Sequence, residues 1–411
     1  MSCTYRSKVQ GRRSKRTHTV LFAAIVLMAA HALPLRAQSA LPDSQALRVY
    51  LMTMGPGDAV WERFGHNAIR IRDDRTGEDR VYNWGMFSLD DAGFILRFLR
   101  GRMRYWMASE DAALTVEAYR MYNRSVTLQE LNLTGAQKIA LYGFVKLNEL
   151  PENRFYDYDY FRDNCSTRVR DALDAALGGV LAERFRAQRT DLTYRAHARR
   201  LMEPDKLTYT GIDVGLGRPT DQPLTAWEEM FIPMSLQRLV REVRVRSGNG
   251  DEPLVLHEQV VVPSSRPPVP DRPAQWVWAY LLIGILLGGC IIATGLTRAA
   301  PVATFLTVGW SVIAGSIGTL LVLLWVATDH VAAYQNANVL PLNPVWLVLA
   351  WLTVARSRFA RPLAIVLSAA AASALLLRLL PGDQDTSRLL ALVLPVHLAA
   401  AYIITRRVPR I

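Results

Sequence analysis

Cysteine is scarce in this chain, with three copies in 411 residues, and each occupies a different kind of segment. Cys3 lies in a basic leader and Cys290 in an apolar run, so Cys165 has no partner for an internal disulfide. Paired cysteines at zinc-binding spacing are missing, as are a glycine-rich phosphate loop and any internal repeat. No metal and no cofactor are therefore expected.

Lys8, Arg12, Arg13, Lys15 and Arg16 precede the apolar stretch from Val20 to Ala30, and small residues come next near Ala37-Gln38-Ser39. This is the layout of an export signal over residues 1–38, either cleaved after Ala37 or retained as an anchor. Both outcomes carry the next segment out of the cytoplasm.

Past the middle, the chain changes to long apolar runs separated by short polar turns. Five candidate spans run from Trp276 to Leu296, Phe305 to Ala327, Pro344 to Val354, Pro362 to Leu377 and Leu389 to Ile404. The third and fourth are short against the ~20 residues that a helix needs to cross hydrocarbon. Arg298 lies in the first turn, Arg356, Arg358 and Arg361 in the third, and Arg406, Arg407 and Arg410 after the last run, whereas the turn from Asp329 to Asn343 has no Lys or Arg. The fourth turn balances Arg378 and Arg388 against Asp383 and Asp385. Positive residues stay inside, which gives five crossings of the inner membrane that begin outside and end with a cytoplasmic C-terminus. The net charge of +12 is accounted for by the leader and these turns, so nucleic acid is not an expected partner. Membrane lipid is one.

About two hundred residues separate leader and membrane, enough for one domain with its own core. Strands are predicted from Arg48 to Met54, Phe64 to Arg72 and Arg80 to Met86. The last two are joined by the turn-forming Asp73-Asp74-Arg75-Thr76-Gly77. Helical periodicity covers Ala92 to Gly101, Ala112 to Tyr122 and Thr134 to Leu147, with Thr134 as N-cap. Arg241 to Val262 reads as a hairpin around Ser247-Gly248-Asn249-Gly250, and Pro263 to Pro273 as a stiff spacer.

The segment Asp163-Asn164-Cys165-Ser166-Thr167-Arg168 opens a helix capped by Asp163 or Asn164. Cys165, Val169, Ala172, Leu173 and Ala176 form its apolar face, and Gly178-Gly179 ends it. A cysteine there is ordinarily a small buried hydrophobe. In an exported domain, at a helix start whose amides favour a thiolate and can hold an oxyanion, a nucleophile is the stronger reading. It needs a proton carrier. His18 and His31 belong to the leader, His330 and His397 to the membrane part and His257 to the segment before it, while His197 sits in an Arg-rich stretch that reads as a solvated helix. His66 remains, with Asn83 on the neighbouring strand as its orienter or Asp58 in reserve. Ala68 and Arg70 share the strand face of His66 and Ile69 and Ile71 take the other, so that face is not the more apolar one.

The runs Gly55-Pro56-Gly57-Asp58, Phe64-Gly65-His66-Asn67-Ala68-Ile69-Arg70, Val81-Tyr82-Asn83-Trp84-Gly85 and Asp163-Asn164-Cys165-Ser166-Thr167-Arg168 resemble the Lnb family. The likeness continues at Thr328-Asp329-His330 and Leu342-Asn343-Pro344. The resemblance implies an α+β fold, a permuted NlpC/papain-like thiol domain like that of lecithin retinol acyltransferase relatives, followed by an all-α five-helix transmembrane bundle. It implies boundaries at 42–240 for the extracytoplasmic domain, 241–273 for hairpin and linker, and 274–411 for the bundle. Characterised members are lipoprotein transacylases, which move an acyl chain from the diacylglyceryl group to the amino group of the lipoprotein's first cysteine. Carried over, the permuted fold implies Cys165 and His66 as the dyad and the family implies a lipoprotein substrate, with Asn83 completing the site by its place on the neighbouring strand. Asp58, Asn164, Tyr158, Asp329 and His330 stand as candidate substrate contacts. The aromatic run Phe155 to Phe161 is either core or a shield that keeps a thioester dry. Such folds host several reactions, so a membrane-held thiol peptidase or amidase of the cell wall, and a non-catalytic module that binds lipid or a partner, stay open. Oligomeric state is not legible.

Overall fold

A computed structural model describes residues 42–247, 250–297, 299–376 and 384–407. The predicted leader with Cys3, His18 and His31, the predicted turn residues Gly248-Asn249, and Arg298, Arg378, Asp383 and Arg410 lie outside the described residues.

The extracytoplasmic part is built on β1 (Leu47–Met54), β2 (His66–Asp73) and β3 (Asp79–Met86), close to the predicted strands. Asp73 closes the β2–β3 hairpin by accepting the Arg75 and Thr76 amides at 2.8 and 3.2 Å. After α1 (Phe94–Arg100), β4 (Met103–Asp111), α2 (Ala112–Met121), β5 (Val126–Leu131), α3 (Gly135–Glu149) and β6 (Phe155–Tyr158) comes α4 (Cys165–Ala176). Thr134 caps α3 as predicted, through a reciprocal pair with Gln137. Next come α5 (Tyr194–Met202), α6 (Lys206–Gly215), α7 (Pro233–Val240), the small β7 (Arg244–Ser247) and β8 (Gly250–Pro253) pair, and β9 (Val255–Val262).

Seven strands form an antiparallel sheet in the order β9-β5-β1-β2-β3-β4-β6. The stretch read as part of a linker hairpin therefore supplies an edge strand of the domain. On one face Ile69, Ile71 and Trp84 pack against Val169 and Leu173 of α4, Val145 of α3 and Leu236 of α7, all buried. Each aliphatic side chain sealed there contributes about 1.5–3 kcal/mol. On the other face Met52, Ala68 and Val81 pack with Ala112 of α2.

Helix α5 corrects one expectation. Its arginines are not solvated: Arg195, His197 and Arg199 are buried. Arg195 pairs with Asp221 at 2.8 Å and with Asp213 at 3.4 Å. Carboxylates distant in sequence make the burial tolerable, and local periodicity does not show them.

The membrane part contains α8 (Val277–Leu296), α9 (Ala300–Val326), α10 (Trp346–Val354), α11 (Ala360–Ser373) and α12 (Ser387–Arg407). Its burial pattern is inverted relative to a soluble core. Gly284, Gly288, Ala303, Ala364 and Ala371 face inward, while Ile285, Leu286, Phe305 and Val366 are exposed. Helices α8, α9 and α12 are long and apolar enough to span. The third apolar run forms only the short α10, and the chain before it is irregular. The chain from Val331 to Asn343 runs back beside α9, bringing the Leu342 carbonyl so close to Gly318 that a side chain there could not fit. Within this irregular stretch the Ala337 amide donates to the Gln384 side-chain oxygen at 2.9 Å. Asn336 and Asn338 donate to the Val214 carbonyl at 2.8 and 3.0 Å, and Gln384 donates to the Asn336 side chain at 3.1 Å. The C-terminal end of α6 thus seats in the mouth of the bundle, where Asp213 meets Arg388 of α12 at 2.9 Å.

Candidate active site

Asn164 is the residue that fixes the start of α4. Its side-chain oxygen accepts the Ser166 and Thr167 amides, each at 2.9 Å, and its Nδ2 donates to the Tyr160 and Phe231 carbonyls, each at 3.0 Å. All its groups are engaged, so it holds the helix start in place. Asp163 pairs instead with Arg168. The buried Ser166 hydroxyl bridges the Asn67 side chain at 2.7 Å and the Met230 carbonyl at 2.6 Å, tying α4 to β2.

Cys165 keeps 9% of its surface exposed. The backbone amides of Asn67, Ser166 and Cys165 itself favour its thiolate, and Arg124 adds a positive charge nearby. Burial outweighs them and pushes the thiol up to about 11, so the amides of a helix start do not by themselves produce a thiolate here.

Asn67, whose side chain bonds Ser166, directly follows His66 in β2. Ala68 pairs with Asn83 across the β2–β3 ladder, and continuing that register sets His66 opposite Gly85. Gly85 has φ +92° in a bulge where pairing with β4 shifts, and a Cβ built on it would lie 3.4 Å from Cys165 Cβ. Strict alternation of faces lapses at a bulge. A cysteine on the helix covering the Trp84 face consequently sits beside the end of the strand that carries His66.

The half-buried His66 ring places Nε2 3.1 Å from Asn83 Oδ1. Asn83 Nδ2 lies 3.4 Å from the Val81 carbonyl, which leaves Oδ1 to accept from the ring and assigns the proton to Nε2. Nδ1 is then the basic nitrogen. Burial holds the imidazole down at about 4, opposed by the Asn83 bond and aided by the positive charge of Arg124, so it is neutral at pH 7. No hydrogen bond joins the ring to the sulfur in this arrangement.

Asp58 is elsewhere, paired with Arg266 of the Pro-rich segment at 2.5 Å. Tyr158 stacks on Tyr105 with ring centroids 4.3 Å apart and touches Tyr160 edge-on, while its Cε2 lies 4.0 Å from the Gly85 Cβ position. Tyr160 in turn stacks on His330 at 6.3 Å. The outer membrane turn therefore reaches the aromatic wall beside Cys165. Asp329 binds Arg102 at 2.5 Å and His330 Nε2 bonds the Phe98 carbonyl at 2.9 Å, so both are spent on contacts between the two parts of the chain.

Sequence reasoning did not find Tyr156. Its hydroxyl is buried 3.9 Å from the Gly85 Cβ position and makes no well-formed hydrogen bond; burial and the Cys165 thiolate raise its pKa, and the nearby Gly85 amide opposes them. Its place in an aromatic run was the only signal. A separate cavity of about 950 Å³, lined by residues including Gly55, His197, Arg200, Glu229 and Arg266, does not include Cys165 or His66 in its walls. Among the described residues no group of histidine, cysteine and carboxylate side chains is arranged to hold a metal.

Fold and site together define a membrane protein with a mixed α/β extracytoplasmic domain. Residues 37–200 match the Lnb N-terminal periplasmic domain and residues 271–408 the Lnb transmembrane domain. The chain belongs to the Lnb family. No curated protein and no solved structure matches it.

Proposed function

We propose that this protein is a membrane-anchored acyltransferase with Cys165 as nucleophile, His66 as general base and Asn83 as orienter. It moves an acyl chain within or between lipoproteins or lipids through a thioester. The observation that carries the reading is the docking of the start of α4 on the strand ends beside His66, with Ser166 Oγ 2.7 Å from Asn67 Oδ1 and Cys165 Cβ 3.4 Å from the Gly85 Cβ position. The order of histidine strand before cysteine helix supports a permuted NlpC-type architecture.

The two pKa shifts favour a neutral pair, with proton transfer accompanying attack rather than a standing ion pair. As Sγ bonds to the ester carbonyl of a lipid-borne glyceride, His66 Nδ1 takes the thiol proton. The amides of Asn67 and Cys165 and the Tyr156 hydroxyl face the developing oxyanion. Collapse breaks the bond to the glyceryl oxygen, which leaves with the proton held by His66. An acceptor amine then attacks the thioester, gives a proton to His66 and restores the thiol as the amide forms.

The seating of α6 in the bundle, through Asp213 and Arg388, favours a lipid-borne substrate over cell-wall peptide, because it holds the thiol at a fixed place relative to the spans. Basic residues at the first and third turns and at the C-terminus support a cytoplasmic end. Expression in cells followed by mass spectrometry of lipoprotein N-termini tests this. The expected result is a changed acylation pattern that Cys165→Ser abolishes. Altered wall-peptide composition with untouched lipoproteins would favour the amidase reading instead.

A further inference from the structure

Helix α1 is amphipathic in an unusual place. Phe94 is buried under Phe87 and Tyr105, but Ile95, Leu96, Phe98 and Leu99 face outward, with Ile95 61% and Leu99 59% exposed. Trp61 and Leu89 continue this apolar surface.

The position of the helix identifies what covers it. The Arg100 carbonyl accepts the Asp329 amide at 2.8 Å, and Arg102 holds the Asp329 carboxylate. Asp329 follows the end of span α9 at Val326 by three residues. At 1.5 Å per residue, the 27 residues of α9 extend about 40 Å, more than the ~30 Å hydrocarbon thickness, so its end reaches the headgroup layer. A short helix bonded there, with outward Leu, Ile and Phe beside Arg100 and Arg102, has the chemistry of an interfacial anchor.

We infer that α1, with Trp61 and Leu89, dips into the outer leaflet of the bilayer that the spans cross. The partner is phospholipid: acyl chains against Ile95, Leu96 and Leu99, and phosphates within reach of Arg100. From the buried side of α1 a stack of packed rings, Phe94 on Phe87 at 5.8 Å, Phe87 on Tyr105 at 5.1 Å and Tyr105 on Tyr158 at 4.3 Å, forms a wall ending beside Gly85 and Cys165, and its outer edge is the route along which a lipid chain would lie. This second step rests on the acyl-transfer reading, whereas contact with the leaflet does not.

The full chain, carrying Cys3→Ser, Cys165→Ser and Cys290→Ala, is given a single bimane label at Leu96→Cys or at Thr76→Cys, the far end of the β2–β3 hairpin. Both forms are reconstituted in phosphatidylethanolamine and phosphatidylglycerol vesicles. Nitroxide on the lipid acyl chains is expected to quench the label at position 96 several-fold more than that at 76, with the order reversed for aqueous iodide. Equal behaviour of the two labels, or iodide access at 96, overturns leaflet contact. With Cys165 restored, Leu96→Glu together with Leu99→Glu is expected to cut transfer from bilayer-borne donor while iodoacetamide still alkylates Cys165 at the unaltered rate. Unchanged transfer overturns the route, and absence of transfer in the otherwise unaltered protein, with position 96 still quenched by lipid, removes the acyl-transfer reading alone.

Discussion

Asn83 Oδ1 accepts the Nε2 proton of His66 over 3.1 Å, and this one bond determines which ring nitrogen can serve as a base. Because burial lowers the imidazole to about 4, the base stays available down to mildly acid pH and is lost only as pH falls through that value. A carboxylate at position 83 would favour the charged ring and raise its pKa. Asn83→Asp is therefore expected to move the acid limb of the pH-activity profile upward by one or more units, and Asn83→Leu to lower kcat by about tenfold to a hundredfold by freeing the tautomer. Profiles of transfer rate against pH for the three proteins check both.

The thiol raised to about 11 predicts a slow, pH-dependent reaction with small electrophiles. At pH 7 only about one Cys165 in ten thousand would be thiolate, so iodoacetamide alkylation should rise roughly tenfold per pH unit between 7 and 10. Peptide mass spectrometry of the alkylated chain gives the rate. A plateau near neutrality would instead reveal a standing thiolate-imidazolium pair.

Tyr156 predicts an effect on activity without one on stability. Its buried hydroxyl makes no well-formed hydrogen bond at rest and lies beside Gly85 at the site. Tyr156→Phe should lower kcat by about tenfold to a hundredfold with little change in KM, since the donor acts on charge that develops in the transition state. The same change should leave Tm nearly unaltered, because a buried hydroxyl with only a poorly formed contact to the Gly85 amide contributes little net stability. A merely structural tyrosine would lose stability without the kcat effect.

Asp213 is held below the usual carboxylate range, its burial overcome by Arg388, Arg195 and Arg199. Its stabilising contribution is present above the ordinary carboxylate pKa and is lost as pH falls through the depressed folded value. Asp213→Asn would leave the buried Arg195 and Arg388 with one carboxylate each, Asp221 and Asp385, so the cost should fall below the ~3–5 kcal/mol of a buried pair stripped of its partner. Thermal unfolding of the full chain in detergent should show the lower Tm at neutral pH, with the gap to the unaltered protein narrowing in acid.

The parts of the fold that are legible in the chain are those with local causes. Strands β1 to β3 follow alternation and turn chemistry, α3 follows its cap, and α4 follows both its apolar spacing and Asn164. The features that escape reading depend on distant partners. Helix α5 buries arginines because Asp213 and Asp221 come to meet them. Strand β9 joins the sheet through pairing with β5. The irregular stretch before α10 is held by Asn336, Asn338 and Gln384, whose side-chain amides bond the end of α6 and one another. At the site, His66, Asn83 and Cys165 stand out by residue type and position. The bulge at Gly85, which brings a cysteine over one face beside a histidine belonging to the other, is visible only in three dimensions.

The most direct measurement is a single turnover of the purified full chain with a diacylated lipopeptide whose amino group is blocked. With no acceptor, the acyl chain is expected to remain on the enzyme, adding the mass of one fatty acyl group to the Cys165 peptide and leaving it on treatment with neutral hydroxylamine. His66→Ala should form this adduct far more slowly and Cys165→Ser not at all. Acyl mass on another residue, or undiminished transfer to an open amine by Cys165→Ser, would contradict the thiol mechanism.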